Sequence, residues 1–367
     1  MKTILTVIGT RPEAIKMAKL IELLNNDKSF NHKLCTTGQH KELLYQTLDV
    51  FNIKPDIDLQ VMTTNQTLAD ITAKIITGFT NTLKQVKPDM VLVHGDTTTS
   101  MACALAAFYQ QIPVCHVEAG LRTHNKLSPF PEEMNRTITA QIASMHFAPT
   151  NLNRYNLLNE GIPDRDIFIT GNTVIDTLLS VADKLTECPD DIKMLETIIN
   201  GKFILITGHR RENFGQGFDN ICDALLILSK KYPDCHMIYP VHLNPNVKEV
   251  VHSQMDGVSN IHLIEPLSYL SFVYLMKKCT LILTDSGGVQ EEAPSLNKPV
   301  LVMREYTERT EALEGNTIQL VGTNVKNIVD AASAILEAPS GILSVANPYG
   351  DGLACQRIIK HLHERLL

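Results

Sequence analysis

The stretch Thr3-Ile4-Leu5-Thr6-Val7-Ile8-Gly9-Thr10-Arg11-Pro12-Glu13-Ala14-Ile15-Lys16 decides the fold. Its first six residues are β-prone and predict a short strand. Gly9 breaks the run, and Pro12 suits the first turn of a helix, where a missing N–H costs nothing. Ile15, Ala18, Leu20, Ile21 and Leu24 then recur at helical spacing. The same order restarts at Phe203-Ile204-Leu205-Ile206-Thr207-Gly208-His209-Arg210-Arg211-Glu212-Asn213. Between the two starts, His32–Thr36, Met90–Val93 and Val114–Val117 read as strands, and Leu68–Val86 reads as a helix ended by Lys87–Pro88. After the second start come Met237–Tyr239, Ile261–Ile264, Leu281–Leu283 and Val300–Met303. Apolar runs buried on both faces and alternating with helices indicate parallel sheets. Two such series imply an α/β chain of two Rossmann-like, doubly wound domains. We place the first at residues 1–175, a connecting segment at 176–200 and the second domain at 201–352. Residues 353–367 read as a helix with Ile358, Ile359, Leu362 and Leu366 apolar. Its packing partner is open, with the first domain as a candidate.

Composition narrows the function classes. The chain has 367 residues, 44% hydrophobic and 20% charged, with a formal charge of 33 − 40 = −7. That is ordinary globular composition. The mildly acidic balance, without basic blocks, disfavours a nucleic-acid or membrane-surface binder. No apolar run approaches the roughly 18 residues of a membrane span. The apolar run before Gly9 is too short for a signal-peptide core, so the expected location is cytoplasmic. Eight cysteines are scattered without a C-x-x-C pair. They read as reduced, mostly buried thiols and not as a disulfide frame or zinc site. Dinucleotide, nucleophile-elbow and H-E-x-x-H signatures are missing, so neither metal nor cofactor is expected.

In open α/β sheets, ligands bind beyond the C-terminal strand ends. Those positions are unusually polar in this chain. Gly9-Thr10-Arg11-Pro12-Glu13 opens a helix and offers N–H groups to an anion, with Arg11 and Lys16 adding positive charge. In His94-Gly95-Asp96, Asp96 is an acid/base candidate or a helix cap. Glu118 ends a strand that should be buried. It is either a proton-transfer group or half of a structural pair with Arg122. Glu132 and Arg136 are four apart and read alternatively as a surface ion pair. His209 follows the second domain's first strand and can meet a phosphate. Ser286, Gly287 and Gly288 make a phosphate-type turn, and Glu292 lies in reach of a sugar diol. Arg304 and Arg309 sit just past the next strand. Acidic candidates therefore gather in the first half and nucleotide-type turns in the second.

Six segments, in order, resemble the bacterial non-hydrolysing UDP-N-acetylglucosamine 2-epimerases. They are Gly9-Thr10-Arg11-Pro12-Glu13, His94-Gly95-Asp96, His116-Val117-Glu118-Ala119-Gly120-Leu121-Arg122, Pro131-Glu132-Glu133-Met134-Asn135-Arg136, Thr207-Gly208-His209-Arg210-Arg211-Glu212-Asn213 and Asp285-Ser286-Gly287-Gly288-Val289-Gln290-Glu291-Glu292. The resemblance implies a glycosyltransferase-B fold with the active site in the interdomain cleft. It implies reversible conversion of UDP-GlcNAc to UDP-ManNAc by anti elimination and re-addition of UDP, without metal or nicotinamide. Carried over by position, Asp96, Glu118 and Glu132 are acid/base candidates, and His209 assists UDP departure. Arg11, Lys16 and Arg136 support charge and geometry. Ser286, Gly287 and Gly288 take phosphate, Glu292 the ribose and Arg309 the diphosphate, while Phe272 flanks the uracil. An activator site for a second UDP-GlcNAc is matched in part by Gln39, His40, Gln66 and His242. Where some members carry Arg-Gln, this chain has Asn65-Gln66, which removes one charged contact. A homodimer is also implied. The competing readings are a sugar transferase of the same fold and a non-catalytic sugar-nucleotide sensor.

Overall fold

The computed structural model describes residues 1–39, 41–63, 65–307, 309–314, 317–338 and 346–367. It divides the chain into two units, Met1–Thr177 with Tyr349–Leu367, and Leu178–Pro348. In the first unit the strands are β1 (Lys2–Ile8), β2 (Phe30–Thr36), β3 (Ile57–Asp58), β4 (Met90–His94), β5 (Val114–Val117), β6 (Met145–Ala148) and β7 (Ile167–Ile169). They form one parallel sheet in the order β3-β2-β1-β4-β5-β6-β7. The second unit has β8 (Phe203–Thr207), β9 (His236–Pro240), β10 (Ile261–Ile264), β11 (Leu281–Thr284), β12 (Val300–Val302) and β13 (Ile318–Leu320). Their order is β10-β9-β8-β11-β12-β13, again all parallel. Each sheet reverses its winding once, between β1 and β4 and between β8 and β11. At such a point the following helices diverge and a crevice opens beyond the strand ends.

The local chemistry explains the elements. Helix Arg11–Asn26 starts with a capping box: Thr10 accepts from the Glu13 N–H, and Glu13 reaches back to the Thr10 N–H. Helix Leu68–Val86 starts the same way with Thr67 and Asp70, and ends where Lys87 turns left-handed. Its buried residues Ile71, Ile75, Phe79 and Leu83 repeat every four positions and make the stripe that packs on the sheet. Four short strands, β3, β6, β7 and β13, escape the sequence reading. Residues 178–200 belong to the second unit: Asp191 accepts from the Ser271 hydroxyl at 2.5 Å, and the Lys277 ammonium donates to the Ala182 carbonyl at 2.7 Å. Among the described residues, no helix is long and apolar enough to cross a membrane.

The last helix, Ala354–Leu366, packs on the first unit. Cys355, Ile358 and Leu362 are fully buried in a cluster with Met17, Ile21 and Leu24. Burying each large aliphatic side chain contributes about 1.5–3 kcal/mol. Its start is fixed by Asp176, whose carboxylate accepts from the N–H groups of Ala354 at 3.1 Å and Cys355 at 2.8 Å. Near its end, His363 meets Asp27 at 2.6 Å. Asp176→Ala removes an acceptor for two otherwise unsatisfied N–H groups and should cost about 1–2 kcal/mol in urea unfolding. Amide exchange in 354–366 should then rise above that in Arg11–Asn26. Unchanged exchange there would mean that the apolar face alone holds the helix.

Candidate active site

In the first unit, the turns after β1 and β4 meet at the sheet reversal. Gly9 is required there: a Cβ would lie 2.2 Å from the Thr99 hydroxyl and 2.3 Å from that of Thr37. Glu13, only 1% exposed, ties the two turns together. Its Oε2 accepts from the N–H groups of Gly9 at 3.0 Å and Thr10 at 2.8 Å. Its Oε1 accepts from the hydroxyls of Thr97 at 2.8 Å and Ser100 at 3.0 Å. Burial pushes the Glu13 carboxyl up, and these hydrogen bonds oppose the rise.

Beside this junction lies a cavity of about 370 Å³ lined by Lys16, Gln39, His94, Asp96, Glu118 and Glu132, among others. All three acid/base candidates therefore share one cavity with Lys16. Glu118 follows β5 with φ at 62°, a left-handed conformation that is rare for a residue with a side chain. Its carboxylate pairs with the Lys16 ammonium and accepts from the Asn172 amide at 2.9 Å. His94 Nε2 stands 3.7 Å from the same carboxylate and has no hydrogen-bond partner among the described residues. Burial pulls the His94 imidazole down to about 4, so the ring is neutral at pH 7. His116 is likewise neutral, drawn down to about 3 by burial, and its Nε2–H donates to the Gly95 carbonyl at 2.7 Å. It thereby braces the residue before Asp96.

The structural alternatives raised for these residues are not the ones the fold uses. Thr97, and not Asp96, caps helix Thr98–Tyr109, accepting from the Ser100 N–H at 3.0 Å. Arg122 pairs with Glu160, at 2.7 and 2.8 Å, and not with Glu118. Arg136 pairs with Asp96 and with Glu133, not with Glu132. Helix Glu132–Ile142 therefore aims two groups at Asp96, because Asn135 also donates to the Asp96 carbonyl at 3.0 Å. Glu133 turns the other way and accepts from the Thr123 and His124 N–H groups, which orders the loop before the helix. Arg11 is half-buried, and burial lowers its guanidinium from the usual value.

The second unit repeats the plan at its own reversal point. Asp285 after β11 is fully buried. Its Oδ2 accepts from the N–H groups of His209 and Arg210, both at 2.8 Å, and from the Asn213 amide at 3.3 Å. The His209 ring stacks on His242, with centroids 5.2 Å apart and planes 18° apart. Burial lowers the His209 imidazole, and the Asp285 charge opposes that. Ser286 precedes the short helix Gly287–Glu292 and makes no side-chain cap. Arg309 lies over this turn: a Cβ on Gly287 would stand 2.9 Å from its guanidinium carbon. Arg309 also pairs with Glu291 at 2.9 Å. Glu292, one residue on, accepts from the Tyr269 hydroxyl at 3.2 Å, and its carboxylate stands 3.6 Å from where a Cβ on Gly288 would be. Phe272 is three residues beyond Tyr269 on the same helix, half-buried. Arg304 instead pairs with Glu212 at 2.5 Å.

The activator candidates are drawn from both units. Gln39 lines the first unit's cavity and accepts from the Thr99 hydroxyl at 2.8 Å. Gln66 is spent on its own turn, accepting from the Thr63 N–H at 2.6 Å and donating to the Val61 carbonyl at 3.0 Å. His242 belongs to the His209 stack. His40 lies outside the described residues. The sequence reading gave no role to Glu13, His94, Asn172 or Asp285. Only Glu13 carries a clear local signal, the Thr-x-x-Glu spacing of a capping box.

The chain is similar to known proteins over nearly its whole length. The sequence profile of the UDP-N-acetylglucosamine 2-epimerase family matches residues 22–363. UDP-N-acetylglucosamine 2-epimerase of Yersinia pestis is 53% identical over 369 residues, 98% of each chain. A crystal structure of UDP-GlcNAc 2-epimerase from Neisseria meningitidis bound to UDP-GlcNAc superposes with a TM-score of 0.89 at 49% identity, covering 99% of this chain and 100% of that one. A glycosyltransferase from Rickettsia africae, 16% identical with a TM-score of 0.65 over 100% of this chain and 98% of that one, shares the fold alone. The two Rossmann-like sheets are thus of the glycosyltransferase-B class, and the chain belongs to the UDP-N-acetylglucosamine 2-epimerase family.

Proposed function

We propose that this chain interconverts UDP-GlcNAc and UDP-ManNAc by eliminating and re-adding UDP across C1 and C2. The observation that carries the reading is the convergence of Asp96, Glu118 and Glu132 with Lys16 on one cavity at the reversal point of the first sheet. Binding a sugar nucleotide, itself an anion, does not call for three carboxylates. Moving protons on and off a sugar carbon does.

The chemical difficulty is that the C2 hydrogen has no carbonyl beside it. As the C1–O bond breaks, its electron pair leaves with the diphosphate and C1 becomes cation-like. The C2 proton then passes to a carboxylate, the C–H pair forms the C1=C2 bond, and 2-acetamidoglucal results. UDP adds back as a carboxylic acid returns a proton to the opposite face of C2. Asp96, Glu118 and Glu132 supply the proton-transfer groups in this reading. Lys16, Arg11 and Arg136 hold them and offset their charge. His209 meets the departing diphosphate together with Arg309, Ser286, Gly287 and Gly288, where fixed positive groups stabilise the leaving charge. Glu292 holds the ribose and Phe272 flanks the uracil. The proposal extends to a cytoplasmic homodimer that feeds ManNAc to cell-surface polysaccharide. It also includes a second UDP-GlcNAc as activator, contacted by Gln39, His40, Gln66 and His242.

The direct test is proton NMR of UDP-GlcNAc with the purified protein in heavy water, without added metal or nicotinamide. UDP-ManNAc carrying deuterium at C2 is expected. Unchanged substrate at high concentration would favour the transferase or sensor reading, and free ManNAc with UDP would indicate a hydrolysing enzyme. Glu118→Gln should lower kcat by at least about 100-fold, the range of a lost acid/base group, while calorimetry finds UDP binding nearly intact. A near-normal rate would remove Glu118 from the proton transfers. Glu292→Ala should weaken UDP binding by roughly 10-fold, the scale of one lost hydrogen bond to a charged group. Unchanged binding would take Glu292 off the ribose.

A further inference from the structure

The carboxylate of Asp285 is only half used. Oδ2 carries three donors, whereas Oδ1 is buried and has no hydrogen-bond partner among the described residues. A buried, unsatisfied carboxylate oxygen is costly and calls for a proton donor. The donor facing it is His209 Nδ1, 3.6 Å away. The His209 ring is also confined, because His242 stacks against it. Distances of this kind in unliganded sites commonly shorten once substrate is bound.

We propose that Asp285 is a positioning residue for His209. Its Oδ1 accepts the Nδ1–H of the ring and fixes Nε2 as the atom that serves the diphosphate. The step balances without any further reactant. The doubly protonated ring gives its Nε2 proton to the diphosphate oxygen as the C1–O bond breaks, and the bonding pair stays on that oxygen. The ring is left neutral with its proton on Nδ1. Re-addition of UDP returns the proton to Nε2. This inference rests on the reading of His209 as the group at UDP departure.

Among the described residues, three charged or titratable groups face the ring: Asp285 from the end of β11, His242 from the segment after β9, and Arg210 from its own turn. Asp285 favours the protonated ring, while His242, Arg210 and burial disfavour it. The sign of the test follows. Asp285→Asn removes the one favourable charge, so the His209 titration must move to lower pH, by about one unit or more for a contact this close. A merely structural role for Asp285 would not move it.

The experiment is long-range proton–nitrogen NMR of the histidine rings in the intact protein, with His209→Gln to assign the signal. Expected is an Nδ1–H tautomer for neutral His209 and a downward shift of its titration in Asp285→Asn. The alkaline limb of the kcat profile should move with it, lowering kcat about tenfold above that limb. An Nε2–H tautomer, or a titration unmoved by Asp285→Asn, overturns the proposal. If Asp285→Asn fails to fold, the tautomer of the unmodified protein decides alone. If the titration shifts and the kcat profile does not follow, the Asp285–His209 pairing stands and the role of His209 in UDP departure falls.

Discussion

One buried carboxylate at each sheet reversal holds the loops on which everything else depends. In the first unit, Glu13 leaves the turn after β1 and captures the turn after β4 through Thr97 and Ser100. In the second, Asp285 leaves the turn after β11 and captures the turn after β8 through the His209 and Arg210 N–H groups. The same junction is closed from opposite sides. A loop at a strand end has backbone groups without ladder partners, and a carboxylate can accept several of them at once. Buried in this way, it fixes the loop more tightly than exposed turn chemistry can.

What the junctions hold is the chemistry. The Glu13 network places Asp96 one residue from Thr97, and Arg136 and Asn135 reach Asp96 from a separate helix. His116 braces Gly95 from a neighbouring strand. Each candidate group is thus held by side chains whose own positions are fixed, which preorganises the site. In the second unit, Arg309 is laid over Gly287 by its pair with Glu291. Any side chain at 287 would displace it.

Several elements were legible because their local patterns are strong. Leu68–Val86, Val114–Val117, Phe203–Thr207 and Ile261–Ile264 have the bounds read from the sequence. Their apolar periodicity and their Gly, Pro and Thr boundaries point the same way. The short strands β3, β6, β7 and β13 were not legible, because pairing with neighbours makes them strands, and no local signal does. The reading of Asp96 and Glu118 followed a rule about strand ends, and Glu132 opens a helix. Their partners followed no such rule. Lys16 and Asn172 reach Glu118 from 102 and 54 residues away. Arg122 had a nearer carboxylate in sequence, Glu118, yet the fold gave it Glu160, and Arg136 adds the distant Asp96 to its neighbour Glu133. Proximity along the chain is a poor guide to ion pairing once helices and strands have turned.

The left-handed backbone at Glu118 has a consequence for how this sequence can change. A side chain there costs about 1–2 kcal/mol that glycine would not incur. Yet glycine alone would leave the mostly buried Lys16 without its carboxylate. Relief of the strain is therefore easiest where residue 16 loses its charge in the same lineage. In a descendant released from the chemistry, positions 16 and 118 should drift together, and a glycine at one beside an apolar residue at the other would mark an enzyme that has become a scaffold.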